Sequence, residues 1–140
     1  MATLYQAMAS EAGINVKLVK TPAGEYWDDI WLKKPFVCSA WSGRSADEAL
    51  SVAYLSDAQW NETHWKRPDY DALIAEARRT VDDGKRGALY QKAQRLLRDE
   101  GGILIPMFPD AIGATRANVA GWRLHPQKFS KDFTKVEFTS

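Results

Sequence analysis

The stretch KRGALYQKAQRLLRDEGGILIPMF, residues 85–108, decides the fold class. Leu89, Ala93, Leu96 and Leu97 recur at the spacing of one helix face, so the pattern predicts an amphipathic helix over 85–99. Gly101-Gly102 ends it. Ile103 to Phe108 follows as an apolar strand, placed at a sheet edge or ending early because Pro106 has no N–H to donate to a ladder. A helix feeding directly into an apolar strand is half of an α/β unit.

Working outward, the same logic covers the rest of the chain. Pro68-Asp69 opens a helix with Tyr70, Leu73, Ile74, Ala77 and Val81 on one face, broken at Asp82-Asp83-Gly84. Residues 56–67 have no period and predict an irregular excursion. Ser45 and Glu48 match the S-x-x-E capping box, so a short helix is expected over 46–55. Phe36 to Trp41 predicts a strand buried on both faces, with Cys38 as a small buried hydrophobe. Thr21-Pro22 starts a helix whose apolar stripe is Trp27, Ile30 and Trp31. Ile14, Val16 and Leu18 alternate with polar residues as in a half-buried strand. Residues 3–12 predict a first helix stopped by Gly13. Past Pro109 the chain is turn-rich and polar, with Trp122, Phe129, Phe133 and Phe138 scattered through it and no convincing element. The order α-β-α-β-α-α-α-β predicts an α/β fold.

Composition sets the outer limits. The 140 residues carry 19 basic and 18 acidic side chains, a balance that argues against nucleic acid as the main partner. No apolar run approaches the roughly 18 residues of a membrane span. No basic stretch followed by an apolar one opens the chain, so no leader is expected within it. Cys38 is the single cysteine, which excludes an internal disulfide and a multi-cysteine zinc site. Tryptophan is abundant, with six residues at 27, 31, 41, 60, 65 and 122.

The motifs of catalysis and cofactor binding are missing. There is no G-x-S-x-G, no phosphate-binding glycine loop, no G-x-G-x-x-G and no H-E-x-x-H. His64 and His125 are far apart in sequence with no cysteine beside either. Asp28-Asp29 lies on a helix's polar face, and Asp82-Asp83 sits at a helix boundary where aspartate caps. Nothing pairs a nucleophile with a base, so a non-enzyme without cofactor or metal is expected.

Two stretches read as binding surface. Trp41-Ser42-Gly43-Arg44 lies between the end of a predicted strand and the start of a capped helix, the place where α/β sheets collect ligands. Gly43 allows close backbone approach, and Arg44 offers five donors in a fork suited to a carboxylate. The helix start adds N–H groups. Arg44 equally suits local pairing with Asp47 or Glu48. Trp60-Asn61-Glu62-Thr63-His64-Trp65 places two tryptophans in an aperiodic segment, where they either stack on a ligand or anchor the loop to the core. Trp41, Ser42, Gly43, Arg44, Trp60, Asn61 and Trp65 are therefore the candidate ligand-binding residues.

Four segments carry a family resemblance. AMASEAGINVKLVK (7–20), FVCSAWSGRSADEAL (36–50), residues 85–108 and ANVAGWRLHP (117–126) resemble, in order, stretches from the C-terminal part of the bacterial extracellular solute-binding proteins of family 5. These are the dipeptide-, oligopeptide- and nickel-binding components of ABC importers. The resemblance implies a two-lobed periplasmic protein of the type II, cluster C-like kind, of which this chain is a C-terminal fragment. Residues 1–109 would be part of lobe 2, and 110–140 the segment that returns to lobe 1. It implies non-catalytic capture of a peptide-like or other small polar solute by closure of the lobes, and delivery to a membrane permease. In the family the loop after the strand-end tryptophan commonly faces the solute, which carries over to Trp41, Ser42, Gly43 and Arg44. Peptide-binding members often have an aspartate near this point for the peptide's α-amino group. Arg44 stands there instead, which favours a ligand carboxylate or another polar solute. Two expectations follow for the chain alone: solute binding that is weak or absent, and a tail whose phenylalanines and Trp122 lack their packing partner, so that it is disordered or buried in a homo-oligomer. The competing function is a self-contained carbohydrate-binding or protein-interaction module built on Trp41, Trp60 and Trp65.

Overall fold

The computed structural model describes residues 1–110, 112–123 and 133–139. The chain divides into two compact units, residues 1–40 and 41–140.

In the first unit, helix α1 (Ala2–Glu11) ends as its glycine predicts. Gly13 takes φ +77°, its N–H donates to the Ser10 carbonyl (3.0 Å), and the Ile14 N–H reaches back to Ala9 (2.9 Å). That pair of bonds is a Schellman stop, and it satisfies carbonyls the helix end leaves open. The helix predicted after Thr21-Pro22 is shorter and wider than its stripe suggests. One α-turn, α2 (Ala23–Glu25), runs into a π-helical turn over Tyr26–Ile30, closed by the Trp31 N–H on the Tyr26 carbonyl at 2.9 Å. The turn stacks Tyr26, Trp27 and Trp31 edge to face, with centroids 5.0 and 5.4 Å apart, and leaves Trp27 exposed rather than packed inward.

The second unit is a three-helix assembly. Helix α3 (Ala46–Val52) is capped by Ser45, whose hydroxyl accepts from the Glu48 N–H (3.3 Å). Helix α4 (Pro68–Arg79) begins with Pro68 in its first turn, and α5 (Asp83–Glu100) begins on the Asp82 carboxylate, which accepts from the Lys85 N–H at 2.8 Å. Tyr70, Ile74 and Ala77 of α4 and Ala93 and Leu97 of α5 are buried, close to the sequence pattern. Val81 lies beyond the helix end and is exposed. Leu50, Ala53 and Tyr54 complete the core from α3 and the turn after it. Inside it, the Tyr70 hydroxyl donates to the Leu50 carbonyl (2.8 Å), one of the orphan acceptors at the end of α3.

The α/β expectation is met only in part, and its strands need correction. Most of the regular structure among the described residues is helical, with a single two-stranded antiparallel ladder, β1 (Val119–Ala120) and β2 (Glu137–Phe138). None of the strands predicted over 14–18, 36–41 and 103–108 forms. A strand requires a second segment to accept its ladder bonds, and periodicity reports only the face a segment could bury. Without that partner Ile14, Phe36, Leu104, Ile105 and Phe108 are exposed, and Cys38 is exposed rather than buried.

The expectation of a tail without structure also changes, because β1 and β2 lie within it. Gly121 follows β1 at φ +78°, where a Cβ would stand 1.7 Å from the Lys135 carbonyl oxygen. That close approach explains the glycine in the V-x-G-W stretch. Phe133 and Phe138 are exposed, as expected, and Trp122 is half-buried. His125 and Phe129 lie outside the described residues.

Candidate functional site

Two segments of the second unit meet to form the candidate site: the strip 41–45 that leads into α3, and the excursion 56–67 between α3 and α4. The excursion is pinned at both ends. The Ser56 N–H donates to Asp71 (3.0 Å), and the Arg67 N–H donates to the Ser56 hydroxyl (3.0 Å). Its middle is organised by Asn61, buried to 7% exposure. The Asn61 amide donates to the carbonyls of Leu55 (3.2 Å) and Trp65 (2.7 Å), and its oxygen accepts from Thr63 (2.9 Å). A polar side chain buried this deeply must find partners, and here the loop's own backbone supplies them. Trp65 packs on the core and meets Tyr70 edge-on at 5.0 Å, with the Arg67 guanidinium 5.8 Å from its ring. Asn61 and Trp65 thus hold the loop in shape.

The strip contributes Trp41 and Arg44. Trp41 is half-buried against the core, and its indole N–H donates to Glu62 at 2.9 Å, joining strip to excursion. The Trp60 ring lies 6.0 Å from that of Trp41, tilted by 51°, and is 38% exposed. The Arg44 guanidinium sits 5.0 Å from the Trp41 ring centroid, a cation–π distance. Its Nε–H donates to Glu48 at 3.0 Å, so the local pairing foreseen for Arg44 forms with Glu48. Asp47 turns the other way. Its carboxylate accepts two bonds from Arg78 (2.8 and 3.1 Å) and one from Tyr90 (3.0 Å), tying α3 to α4 and α5. Arg78 holds the Asp47 carboxyl below the ordinary aspartate range.

The guanidinium is left incomplete. Arg44 Nη1 is shut off from solvent and has no hydrogen-bond partner among the described residues. Leaving such a donor unmet costs about 1–3 kcal/mol. Ser42 and Gly43 are exposed on the strip between the two aromatic-facing residues. Of the seven candidate residues, Trp41, Arg44 and Trp60 therefore form one constellation, flanked by Ser42 and Gly43. Sequence reasoning missed Glu62, which fixes the Trp41 indole, and Asp47 as a hub between helices. Neither stands in a pattern that reports its partner. No group of His, Cys, Asp or Glu suited to a metal ion occurs among the described residues.

No family model matches the chain. Individual proteins do. Over 140 residues the chain is 31% identical to Di/tripeptide-binding protein 1 of Pseudomonas aeruginosa (strain UCBPP-PA14), covering 90% of this chain and 24% of that protein. It is 29% identical over 137 residues to the Dipeptide-binding protein of Escherichia coli (strain K12), covering 90% of this chain and 25% of the relative. A shorter match, 35% over 75 residues, covers 53% of this chain and 14% of the Probable deoxycholate-binding periplasmic protein YgiS of the same E. coli strain. The chain spans about a quarter of the length of its di- and tripeptide-binding relatives. By name these relatives are binding proteins. The resemblance carried by the four segments is shown: over nine-tenths of its length this chain is similar to the peptide-binding members of the bacterial extracellular solute-binding proteins of family 5.

Proposed function

We propose that this chain is the late portion of a periplasmic solute-binding protein that serves an ABC importer. Residues 1–109 contribute to its second lobe, and residues 110–140 return toward the first. Its role is reversible capture of a small solute by closure of two lobes, without chemistry, and presentation to a membrane permease. The names of the relatives support a peptide-like solute, and one of them also brings deoxycholate into the range to be tested.

The observation that carries this reading is the constellation of Trp41, Arg44 and Trp60. An aromatic wall and a cation stand together where the strip 41–45 meets, through Trp41 and Glu62, a loop held in shape by Asn61 and Trp65. Ligand sites take this form: a few placed polar groups beside aromatic surface, on a pre-formed support. Because one lobe presents one face of a cleft, the 140-residue chain is expected to bind weakly.

Titration of the isotope-labelled chain with di- and tripeptides, with deoxycholate and with oligosaccharides, followed by NMR, tests the reading. Shifts should concentrate on the Trp41 and Trp60 indoles and on Arg44, and appear with peptide or bile acid. Shifts produced by sugars alone would overturn it in favour of a carbohydrate-binding module. Tight binding by this chain alone would also overturn it, since capture would then need no second lobe.

A further inference from the structure

We infer that Arg44 receives a carboxylate of the solute, so that the site selects acids over their neutral counterparts. The inference rests on the proposal that the 41–44 strip faces the solute. Arg44 is held from two sides, by the Trp41 ring at 5.0 Å and by Glu48 on Nε at 3.0 Å. These contacts position the guanidinium and use one of its five N–H donors. Nη1 is enclosed without an acceptor, and Nη2 makes no hydrogen bond among the described residues. Asp47, the other acid close in sequence, is committed to Arg78 and Tyr90. The Nη1/Nη2 side of the guanidinium thus carries donors without their complement.

A carboxylate is that complement, because its two oxygens match the spacing of two parallel N–H bonds. It reaches Nη2 first, and a small outward turn of the guanidinium brings Nη1 onto the second oxygen. A phosphate group fits less well. It would bring up to two negative charges to one cation that already faces Glu48, with Glu62 on the neighbouring Trp41 indole. Trp60, exposed beside Trp41, offers a surface for the apolar body next to the acid. The solute class is therefore a carboxylic acid with an adjoining apolar group.

The test compares four probes on the 140-residue chain: an apolar dipeptide, its N-acetyl derivative, its C-terminal amide, and phenylacetate, which has no peptide bond. Arg44 Nε–H and Trp41 indole N–H shifts report occupancy. Both peptide acids should bind about tenfold more tightly than the amide. Arg44→Gln should erase that preference, and Arg44→Lys, which keeps the charge without the fork, should restore only part of it. Phenylacetate shifting the same signals would make the acid alone sufficient; acid preference confined to the dipeptides would make the peptide C-terminus its source. Either result supports the inference. Equal affinity of acid and amide in the unsubstituted chain overturns it while leaving solute binding intact, and does so even if an Arg44 variant fails to fold. Absence of any shift at Trp41, Trp60 and Arg44 with every probe overturns both this inference and the proposed function.

Discussion

Raising the pH should destabilise the second unit through its buried tyrosines. Burial, reinforced by the charge of Glu62, pushes the Tyr54 hydroxyl up to about 12. Burial raises Tyr70 as well, helped by Tyr54 and Asp71. In the unfolded chain both would ionise near pH 10. Above that pH the unfolded state binds fewer protons than the folded one, so stability falls as pH rises. The contribution is fully present below pH 10 and is lost through the folded-state values. Each group costs about 1.4 kcal/mol per pH unit in this window. For Tyr54 alone, from pH 10 to 12, the loss is about 2 kcal/mol. Tyr70 adds a loss of the same sign, because its ionised oxygen could no longer donate to the Leu50 carbonyl. Against a typical domain stability of about 5–15 kcal/mol, the two remove a measurable part of the unit's stability by pH 12. Urea midpoints from circular dichroism, at half-unit steps from pH 9 to 12, measure the slope, and tyrosinate absorbance tracks ionisation in parallel. Tyr54→Phe should be more shallow by about one proton's worth. A flat midpoint across this range, or the same slope in Tyr54→Phe, would refute the reasoning.

Other perturbations separate the local devices. Asp47→Asn weakens the α3–α4–α5 tie and should cost about 1 kcal/mol, after allowance for the partial exposure of the pair, read from urea midpoints at neutral pH. Since the folded Asp47 carboxyl titrates below its unfolded value, the unsubstituted chain should lose this term only as pH falls below about 4, and the variant should lack that acid limb. Asn61→Leu strands the Trp65 carbonyl and leaves the Leu55 carbonyl only the Ala58 N–H, which should cost about 1–3 kcal/mol and open residues 56–67 to limited proteolysis ahead of the helices. Gly121→Ala forces a side chain into the Lys135 carbonyl, so hydrogen exchange should accelerate at Thr139, whose N–H donates to the Asn118 carbonyl beside the ladder, while the α4–α5 melting midpoint stays unchanged.

What the sequence made legible follows the reach of the interactions involved. Helices α1, α4 and α5 and the Ser45, Asp82 and Gly13 termini depend on neighbours within about four positions, and each stands within a few residues of its expected place. Within the candidate site, Trp41, Arg44 and Trp60 were visible because tryptophan in an aperiodic segment and arginine after glycine are unusual there. Their mutual arrangement was not visible. It depends on Glu62, twenty-one positions from Trp41, and nothing in local pattern couples the two. The three predicted strands failed for the same reason in a stronger form. Alternation and apolarity in 14–18, 36–41 and 103–108 correctly mark segments with a face to bury, yet a ladder is a property of two segments. The exposed Ile14, Phe36, Leu104 and Phe108 are the physical residue of that difference. They agree with the proposal of a longer protein, because a lobe's sheet brings together strands from distant parts of a chain. The helical assembly of residues 41–100 needs no such supply: its core closes on Leu50, Tyr54, Tyr70, Ile74, Ala93 and Leu97, and it carries the candidate site on its own loops.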